Sequence, residues 1–516
     1  MSAQPALNET LIRNVVEEVL NRIGQTPGNR TQNPSSFAKA SADKEALLLR
    51  QGFGGRGNQN PQSAIRNLRS SGRAYGVFAD ASEACEAANA AFRQLQEKGL
   101  EGRAKVIEII KTLADSNAQQ WGRIELEETK IGRLDHKIEK LKIIKLVPGL
   151  EFLRPYAVSG DHGITLEEYT PFGVVGAVTP STHSIPTLSG NVVNMAAAGN
   201  AMVFNAHPNA SRCAATAVRA YNEAIHREIG IENLICIIEQ PTFDSFKAMC
   251  ANEHVRLLCV TGGPGVVKAA MQTGKRAICA GPGNPPVLVD ETADLDKAAQ
   301  CIIKGGAYDN NLLCISEKEV FVLDRVADAL MASLGKNGAM RLNPTQLERL
   351  TKAAFSFTPG KGAGCPEPVL NKELVGKDAS VLAQIAGTHA KPGVELLFAE
   401  TDASHLFVIE EQMMPFVPIV RVRDVTEGIV AAKVAEHNYR HTSIIHSRNV
   451  DHMTAMARAM DTTLFVKNGA CMAGLGLGGE GYLSYSIATP TGEGITNPRT
   501  FTRTRRCVMV DNLRIY

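Results

Sequence analysis

In the segment Pro171-Phe-Gly-Val-Val-Gly-Ala-Val-Thr-Pro180 the pattern of the chain changes, because strands and helices alternate from this point onward. Residues 174–178 form a short apolar run that predicts a buried strand. The elements after it are predicted as helix 187–198, strand 201–205, helix 214–229, strand 234–238, helix 245–252, strand 255–261 and helix 266–273. Continuously apolar strands joined by helices are typical of a parallel sheet covered on both faces. The sequence therefore predicts an α/β fold.

Two stretches fall at the carboxyl ends of these strands, where parallel sheets bind their ligands. They are Thr179-Pro-Ser-Thr-His-Ser184 and Thr261-Gly-Gly-Pro-Gly265. The second lies between a strand and a helix, and the free N–H groups at a helix N-terminus favour an anion, so we expect a phosphate there. The G-x-G-x-x-G match at 474–479 follows no clear strand and opens no clear helix, so we interpret it as a glycine-rich loop.

A second α/β unit begins near Pro285 and includes the stretch Asp309-Asn-Asn-Leu-Leu-Cys-Ile-Ser-Glu-Lys-Glu-Val320. Cys314 lies between a small, polar run and a β-branched run, which predicts a turn just before a strand. A thiol is strongly nucleophilic near neutral pH with little activation, so Cys314 is a candidate nucleophile. The alternative is a small buried hydrophobic residue, which is the role of most free cysteines.

The segments outside these two units give a coarser pattern. We predict helices at 81–96, 102–128 and 134–146, a polar, β-prone segment at 156–169, and strands at 464–468 and 503–513.

The N-terminal region has a separate character. Residues 8–23 place apolar side chains on one stripe of a helix, with charged residues on the other side. Residues 25–72 are rich in Gly, Asn, Gln, Ser and Arg, which predicts a flexible linker. A short amphipathic helix on such a linker has no neighbour in sequence to cover its stripe, so we expect it to bind another surface. Folding back onto its own domain is the alternative.

The composition excludes several classes of protein. The 516 residues include 55 basic and 53 acidic side chains, a net charge of +2, so no nucleic-acid partner is indicated. No uninterrupted apolar run reaches the roughly 20 residues that cross a membrane, and the N-terminus lacks a signal-peptide core. The 11 cysteines form no C-x-x-C pair and the 12 histidines no H-E-x-x-H pattern, so we expect reduced thiols, no metal site and a cytoplasmic protein.

From about residue 75 onward the chain resembles the aldehyde dehydrogenase superfamily. The resemblance rests on residues 171–176, 260–263, 281–286 (Gly-Pro-Gly-Asn-Pro-Pro), the Cys314 segment and 410–415 (Glu-Glu-Gln-Met-Met-Pro). Within the superfamily, the Cys314 segment and Thr179-Pro-Ser-Thr182 are similar to the CoA-acylating propionaldehyde and acetaldehyde dehydrogenases of bacterial microcompartments. His183-Ser184 after Pro-Ser-Thr resembles the variety found with glycyl-radical diol dehydratases.

The resemblance implies an aldehyde dehydrogenase fold with a Rossmann-like cofactor domain, an α/β catalytic domain and a small β oligomerisation arm. The implied organisation is a targeting helix at 1–24, a linker at 25–72, a cofactor domain at 73–285 with the arm at about 153–170, a catalytic domain at 286–461, and a return to the cofactor domain and an oligomerisation strand at 462–516.

The implied activity is oxidation of a short-chain aldehyde, with propanal expected, to acyl-CoA by NAD and coenzyme A. Cys314 would form a thiohemiacetal and then a thioacyl-enzyme. Ala280 stands where hydrolytic relatives carry the carboxylate that activates water, and such general-base help is worth about 10² to 10⁴ in rate. We therefore expect the CoA thiol to replace water. A hydrolytic dehydrogenase that yields the free acid is one alternative, and a catalytically weak scaffold that acts through its N-terminal helix is another.

The resemblance also implies roles for individual residues. The oxyanion would be held by the Cys314 N–H and by a donor from the turn 180–184. His183 is the candidate donor, although its ring could point away. The implied cofactor-binding residues are Thr179, Pro180, Ser181, Thr182, His207, Thr261, Gly262, Gly263 and Glu411.

Three further expectations concern residues near these sites. Glu411 matches the glutamate that holds the nicotinamide ribose, whereas His207 replaces a lysine of the adenosine-ribose pocket and leaves the choice between NAD and NADP open. Glu317 is expected to form a structural ion pair with Lys318. The remaining nearby cysteines are expected in the core: Cys279 and Cys301.

The implied partners follow from the same resemblance. The N-terminal helix would be an encapsulation peptide that binds a shell or core protein, and the enzyme would lie in the microcompartment lumen. The segment 156–169 and the closing strand 503–513 resemble the arms through which relatives pair, so a homodimer or homotetramer is expected.

Overall fold

The computed structural model describes residues 75–358 and 367–511. The predicted targeting helix and linker lie outside the described residues. The helices are α1 (Ala81–Ser116), α2 (Ala118–Thr129), α3 (Leu134–Lys142), α4 (Ser184–Ala197), α5 (Ser211–Ile229), α6 (Phe243–Ala251), α7 (Pro264–Met271), α8 (Leu295–Gly306), α9 (Asp324–Lys336), α10 (Pro344–Ala354), α11 (Ala379–Ile385), α12 (Leu406–Ile409), α13 (Val425–Ala435) and α14 (Val450–Met460).

The strands form two large sheets and three small ones. They are β1 (Val77–Phe78), β2 (Tyr156–Gly160), β3 (Gly163–Pro171), β4 (Val174–Thr179), β5 (Ala201–Ala206), β6 (Ile235–Ile238), β7 (Val255–Thr261), β8 (Ala277–Ala280), β9 (Pro286–Val289), β10 (Glu319–Leu323), β11 (Met340–Arg341), β12 (Phe355–Thr358), β13 (Glu367–Leu370), β14 (Leu397–Thr401), β15 (Phe416–Val422), β16 (Thr442–His446), β17 (Leu464–Lys467), β18 (Ile487–Ala488), β19 (Gly494–Ile495) and β20 (Thr502–Val510).

The first large sheet has six parallel strands in the order β1-β6-β5-β4-β7-β8. The chain runs from β4 through β5 to β6 on one side and then crosses to β7 and β8 on the other, so β4 and β7 are adjacent at a topological switch point. Ligands of such sheets bind at the carboxyl ends of the strands beside that point. The predicted strand 255–261 coincides with β7, and the predicted α/β class is confirmed.

The helices between β1 and β2 differ from the prediction in their boundaries. α1 joins the predicted helix 81–96 to the next one across a non-helical Gly99, and α3 ends at Lys142 before a 3-10 turn, Ile143–Leu146.

The predicted helix 102–128 is wrong as a single element, because α1 ends at Ser116 and α2 begins at Ala118. Asn117 has φ −96° and ψ 5°, and its side-chain amide donates to Leu113 O at 2.9 Å. An asparagine side chain that bonds the local backbone competes with the helix in this way.

The second large sheet has seven parallel strands in the order β11-β14-β15-β10-β9-β16-β17. Its strand β17 corrects the prediction that residues 462–516 return as a block to the cofactor domain. β17 pairs with β16, Leu464 opposite Thr442, and therefore completes the sheet that contains β10. A strand of four residues with apolar Leu464 and Val466 can join either sheet, so the pattern does not choose between them.

The segment 156–169 forms the hairpin β2–β3, and β20 pairs antiparallel with β3 from Thr502 to Val510. The resulting order β2-β3-β20 leaves β20 at an edge. Its side chains after Thr502 are exposed, including Val508 and Val510. None of the helices in the described part of the chain combines the length and apolar character that a membrane-spanning segment requires.

Candidate active site

Cys314 lies in a turn between the short helical turn Tyr308–Asn311 and strand β10. The predicted position of the cysteine, on a turn before a strand, is confirmed. Its side chain is half-buried, and β10 is fully buried behind it. We call residues 308–318 the nucleophile loop, because they carry this thiol.

The backbone of the nucleophile loop is left-handed at three consecutive residues. Asp309, Asn310 and Asn311 have φ of 48°, 56° and 65°. Asp and Asn adopt this region more readily than other residues with a side chain. Asn311 then fastens the loop on itself, because its amide donates to Gly306 O and Glu317 O at 2.9 Å each.

Glu317 and Lys318 do not form the predicted ion pair. Lys318 Nζ donates to Asn311 O at 2.8 Å and also to Asn311 Oδ1, whereas Glu317 Oε1 accepts from Cys471 N at 2.9 Å. The prediction is wrong because adjacent residues entering a strand point to opposite faces. Both side chains are fully buried, and burial raises the pKa of Glu317 to about 7.

Glu411 belongs to the surroundings of Cys314. Its Oε1 accepts from Gly283 N at 3.4 Å, and a Cβ on Gly283 would lie 2.5 Å from Cys314 O. Gly283 therefore lies between Glu411 and the backbone of Cys314 and contacts both. Burial raises the pKa of the Cys314 thiol to about 12, and the Glu411 carboxylate adds to the rise, while Lys318 opposes it. At neutral pH the Cys314 side chain is therefore a protonated thiol.

The predicted turn 179–184 follows β4 and leads into α4. Thr179 is buried with Oγ1 3.5 Å from Ser184 Oγ, and Pro180, Ser181 and Thr182 are half-buried. His183 directly precedes α4 and its ring packs against Tyr485 at 5.6 Å. Burial lowers its pKa well below the ordinary value, so the imidazole is neutral. His183 Nδ1 has no hydrogen-bond partner among residues 75–358 and 367–511.

The second predicted stretch lies at the end of β7. Thr261 Oγ1 is 2.7 Å from Ser486 Oγ, so its hydroxyl is committed to the protein. Gly262 is half-buried, and Gly263 is exposed and precedes α7. A Cβ on Gly263 would meet nothing within 4 Å. Space is therefore open beside the start of α7, at the switch point.

His207 follows β5 and lies at the same edge of the sheet, since its N–H donates to Thr179 O at 3.0 Å. Its ring is exposed, and Nδ1 accepts from Asn209 N at 3.2 Å. We call the carboxyl ends of β4, β5 and β7, with the residues that follow them, the cofactor edge.

A dinucleotide fits the cofactor edge. α7 begins beside the switch point, and the N–H groups of a helix N-terminus favour a pyrophosphate. At the start of α4, by contrast, Ile185 N donates to Glu125 Oε2 and Pro186 carries no N–H. The second carboxylate oxygen of Glu411 accepts no hydrogen bond within the described part of the chain, which leaves it for a ribose hydroxyl.

The remaining predicted positions are consistent with a supporting role. Ala280 is buried at the end of β8 and pairs with Thr261, so a methyl group stands at the position where the resemblance implies a carboxylate in hydrolytic relatives. Cys279 is buried as expected, whereas Cys301 is only half-buried. The glycine-rich segment 474–479 includes the end of a 3-10 helix, Cys471–Leu475, and continues as turns, so it is the predicted loop.

Sequence reasoning missed two buried lysines on α3, Lys137 and Lys140. They pair with Glu125 and Asp309, and each side chain is no more than 1% exposed. The spacing of lysines in a helix gives no signal of burial, because a solvated face has the same pattern. The run Asp309-Asn-Asn did carry a signal, namely its tolerance of left-handed backbone.

Within residues 75–358 and 367–511, one group brings metal-ligating atoms within 4.8 Å of one another: Asp290, Glu291 and His452. The Asp290 carboxylate already accepts from Thr292, Ser447 and His452. Its acceptor sites are therefore occupied by the protein.

A dinucleotide-binding edge next to a loop with a cysteine nucleophile defines a nicotinamide-dependent oxidoreductase that works through a covalent intermediate. The family model described as the aldehyde dehydrogenase family matches residues 73–353. The chain belongs to the aldehyde dehydrogenase family and has its fold.

The chain is similar to three members of the family whose reactions or substrates are named. The chain is 43% identical to the acetaldehyde dehydrogenase (acetylating) EutE of Salmonella typhimurium over 473 residues, which are 91% of this chain and 98% of that protein. The structure of Rhodopseudomonas palustris propionaldehyde dehydrogenase with bound CoA and an acylated cysteine matches with TM-score 0.81 and 42% identity, over 86% of this chain and 99% of that chain. A propionaldehyde dehydrogenase from the fucose utilisation microcompartment of Clostridium phytofermentans matches with TM-score 0.82 and 42% identity, over 86% and 100%.

Proposed function

We propose that this protein is a CoA-acylating aldehyde dehydrogenase that converts a short-chain aldehyde, NAD and CoA to acyl-CoA and NADH. Two features together carry the proposal. Cys314 lies on a turn, and a buried Ala280 stands at the position where hydrolytic enzymes hold their base. Relatives named as acetylating and as propionaldehyde dehydrogenases support the same reaction and favour propanal.

Cys314 attacks the aldehyde carbon and forms a C–S bond, and the carbonyl oxygen becomes an oxyanion. The thiol proton passes to solvent in this step, since burial and the charge of Glu411 raise the pKa of Cys314 to about 12 and keep the thiol protonated beforehand. The Cys314 N–H and a donor from the turn 180–184 stabilise the oxyanion, and each such donor is worth about 2.7–4 kcal/mol. Neutral His183, with an unpartnered Nδ1, is the candidate donor.

The cofactor is held by the cofactor edge and by Glu411, which lies outside that edge. The residues of the edge are Thr179, Pro180, Ser181, Thr182, His207, Thr261, Gly262 and Gly263. These residues would hold NAD, which would supply the acceptor for the hydride of the substrate carbon, and Cys314 would then carry the acyl group as a thioester. The exposed ring of His207 gives no fixed cation for a 2′-phosphate, which favours NAD over NADP.

Release of the acyl group separates this proposal from the hydrolytic alternative. A buried methyl at Ala280 cannot take a proton from water, so water attacks the thioester slowly. CoA brings a thiol, a better nucleophile. Its sulfur forms the new C–S bond as the bond to Cys314 breaks, and its proton returns to the Cys314 thiolate, which is the leaving group.

The test is NADH formation from propanal and NAD with and without CoA, on the wild type and on Cys314→Ala. We expect steady turnover only with CoA, acyl-CoA as the product, and none of it in the variant. Equal turnover without CoA, with propionate as the product, would establish the hydrolytic alternative. Activity in Cys314→Ala would remove the nucleophile from the proposal.

We also propose a microcompartment setting. A relative from a microcompartment supports it, as does the amphipathic pattern of residues 8–23 on a linker. Residues 1–24 would bind a shell or core protein and bring the enzyme into the lumen. Deleting them should leave turnover unchanged and abolish co-sedimentation with the shell, and a loss of turnover instead would favour the alternative of folding back.

A homodimer or homotetramer is the proposed assembly. The exposed apolar side chains of β2 and β20, Tyr156, Val158, Val508 and Val510, support pairing through this three-stranded sheet. Analytical ultracentrifugation that finds only monomer would refute it.

A further inference from the structure

Helix α3 carries two lysines one turn apart that reach different parts of the site. Lys137 is 1% exposed and Lys140 is fully buried. A lysine is almost never fully buried unless its charge is paired, and burying a charge is costly. The helix therefore bears two ammonium groups that need specific partners.

Lys140 reaches the nucleophile loop. Its Nζ pairs with Asp309 Oδ2, and Asp309 Oδ1 accepts from Arg133 N at 2.7 Å just before α3 begins. Asp309 N in turn donates to His136 Nδ1 at 2.9 Å. A Cβ on Gly132 would lie 2.3 Å from Asp309 Oδ1, so the loop is seated against the backbone of this helix start.

Lys137 reaches the turn that precedes α4. Its Nζ lies 3.0 Å from Glu125 Oε1 and donates to Thr182 O at 3.4 Å. Glu125 Oε2 accepts from Ile185 N at 3.0 Å. One buried pair thus holds both ends of the segment 182–185, which includes His183.

Stability alone does not explain two buried ion pairs on one helix. Replacing such a pair by apolar residues of similar volume is often neutral or stabilising, because desolvation offsets the Coulomb attraction. Buried, hydrogen-bonded pairs do fix geometry, and catalysis depends on geometry within about 1 Å. The contacts join a single rigid element to the two segments that supply the nucleophile and the oxyanion turn.

We propose that α3 is a clamp that sets the position of the nucleophile loop relative to the turn 182–185, with Lys140–Asp309 and Lys137–Glu125 as its two positioning pairs. The clamp rests on the proposed function, since it positions the groups that carry out acyl transfer. These four residues act through Cys314 and the turn and do not touch the reacting atoms.

The test compares Lys140→Met with Asp309→Asn, in the full chain. The two changes alter the charge near Cys314 in opposite directions, so alkylation of Cys314 by iodoacetamide at pH 8 should slow in the first and accelerate in the second. If the pair positions the loop, both variants should lower kcat by about 10- to 100-fold, with KM for NAD within about twofold. If only the charge matters, kcat will change in opposite directions, and the clamp is refuted.

The double variant Lys140→Met/Asp309→Asn guards against single variants that fail to fold, because it leaves no unpaired charge. We expect near-wild-type melting with kcat still reduced at least tenfold. Lys137→Met should likewise lower kcat. Lys275→Met is the matched control, since its half-buried ammonium donates to Asn252 O and Val255 O at the opposite edge of the sheet.

A kcat within twofold of wild type in the double variant would overturn the clamp, as would an equal loss in Lys275→Met at the same melting temperature. Wild-type turnover with and without CoA, measured in parallel, reports on the proposed function independently. The clamp can thus fail while the CoA requirement stands.

Discussion

The cofactor edge and the nucleophile loop lie in the same molecule and are built in opposite ways. The cofactor edge is built from the ends of regular strands and the start of α7, where Gly263 is open to solvent. In the nucleophile loop, buried charged side chains fix the backbone, among them Asp309, Glu317 and Lys318.

This difference predicts different sensitivities. A site made from the ends of regular elements needs only the sheet to be intact, so substitutions there should change ligand affinity and little else. In a loop held by buried charges, a charged group that loses its partner is left unpaired. A single substitution there should therefore change both the stability of the protein and the rate of the reaction. Substitutions in the two regions test this difference.

The largest effect is expected at Gly283. A Cβ there would lie 2.5 Å from Cys314 O, a backbone atom that can move only if the nucleophile moves. Gly283→Ala should lower kcat by about 100-fold or more and the free energy of unfolding by about 1–3 kcal/mol.

The matched control is Gly281→Ala, whose Cβ would meet only the side chain of Pro490, at 3.0 Å. We expect less than a tenfold change in kcat for that variant. Steady-state kinetics and urea unfolding on both variants decide the matter, and equal losses would show that the approach of Gly283 to Cys314 is not special.

The next effect is the pH dependence of stability that Glu317 causes. Burial raises its folded-state pKa from 4.5 to about 7. Between these values the folded protein binds more protons than the unfolded one, so stability falls as the pH rises through this range. Glu317→Gln removes the fall. The shift corresponds to at most about 3 kcal/mol, and we expect the variant to be about 2 kcal/mol more stable at pH 8 because the site relaxes around the charge.

Urea unfolding of Glu317→Gln and wild type from pH 4.5 to 8 measures this difference, which should vanish near pH 4.5. The exposed Glu348 provides a control of opposite sign, because its hydrogen bond with Lys352 lowers its pKa. If Glu317→Gln is no more stable than wild type at pH 8, the buried carboxylate is stabilised by a further partner besides Cys471 N.

The contrast also separates what the sequence could predict from what it could not. Strand β7 and the turn 179–184 follow from local pattern, since apolar runs and the residues after them are contiguous in the chain. The partners of the nucleophile loop are distant in sequence: Lys140 with Asp309, and Cys471 with Glu317. Nothing in the composition of either segment specifies such a pairing.

The family resemblance indicated only some of the residues that local sequence patterns do not identify. It indicated Cys314 and Glu411, whose motifs are local, and it led to the expected ion pair of Glu317 with Lys318, which the structure replaces by two separate contacts. It did not indicate Lys137 or Lys140, because their role is defined by what they contact and not by a neighbouring motif.

A smaller effect is expected from Glu411, which lies between the two regions. Its carboxylate adds to the burial that raises the pKa of Cys314 to about 12. Glu411→Gln should lower that pKa and so increase the thiolate fraction at pH 8, and iodoacetamide alkylation should be about three- to tenfold faster. Glu410→Gln is the matched control, since Glu410 is not among the charges that raise the thiol's pKa. Equal alkylation rates in the two variants would show that the charge of Glu411 does not raise the pKa of the Cys314 thiol.

The smallest effect on stability is expected at Gly263, on the cofactor edge. Its φ of −67° suits any residue, and an added Cβ would meet nothing within 4 Å. Gly263→Ala should therefore change the free energy of unfolding by less than about 1 kcal/mol. The methyl group would nevertheless stand among the N–H groups that open α7, where a pyrophosphate would bind. We expect KM for NAD to rise severalfold with kcat unchanged, while Gly335→Ala, at an equally open position in α9, leaves KM unchanged. A KM for NAD that stays constant in Gly263→Ala would place the phosphates away from the start of α7.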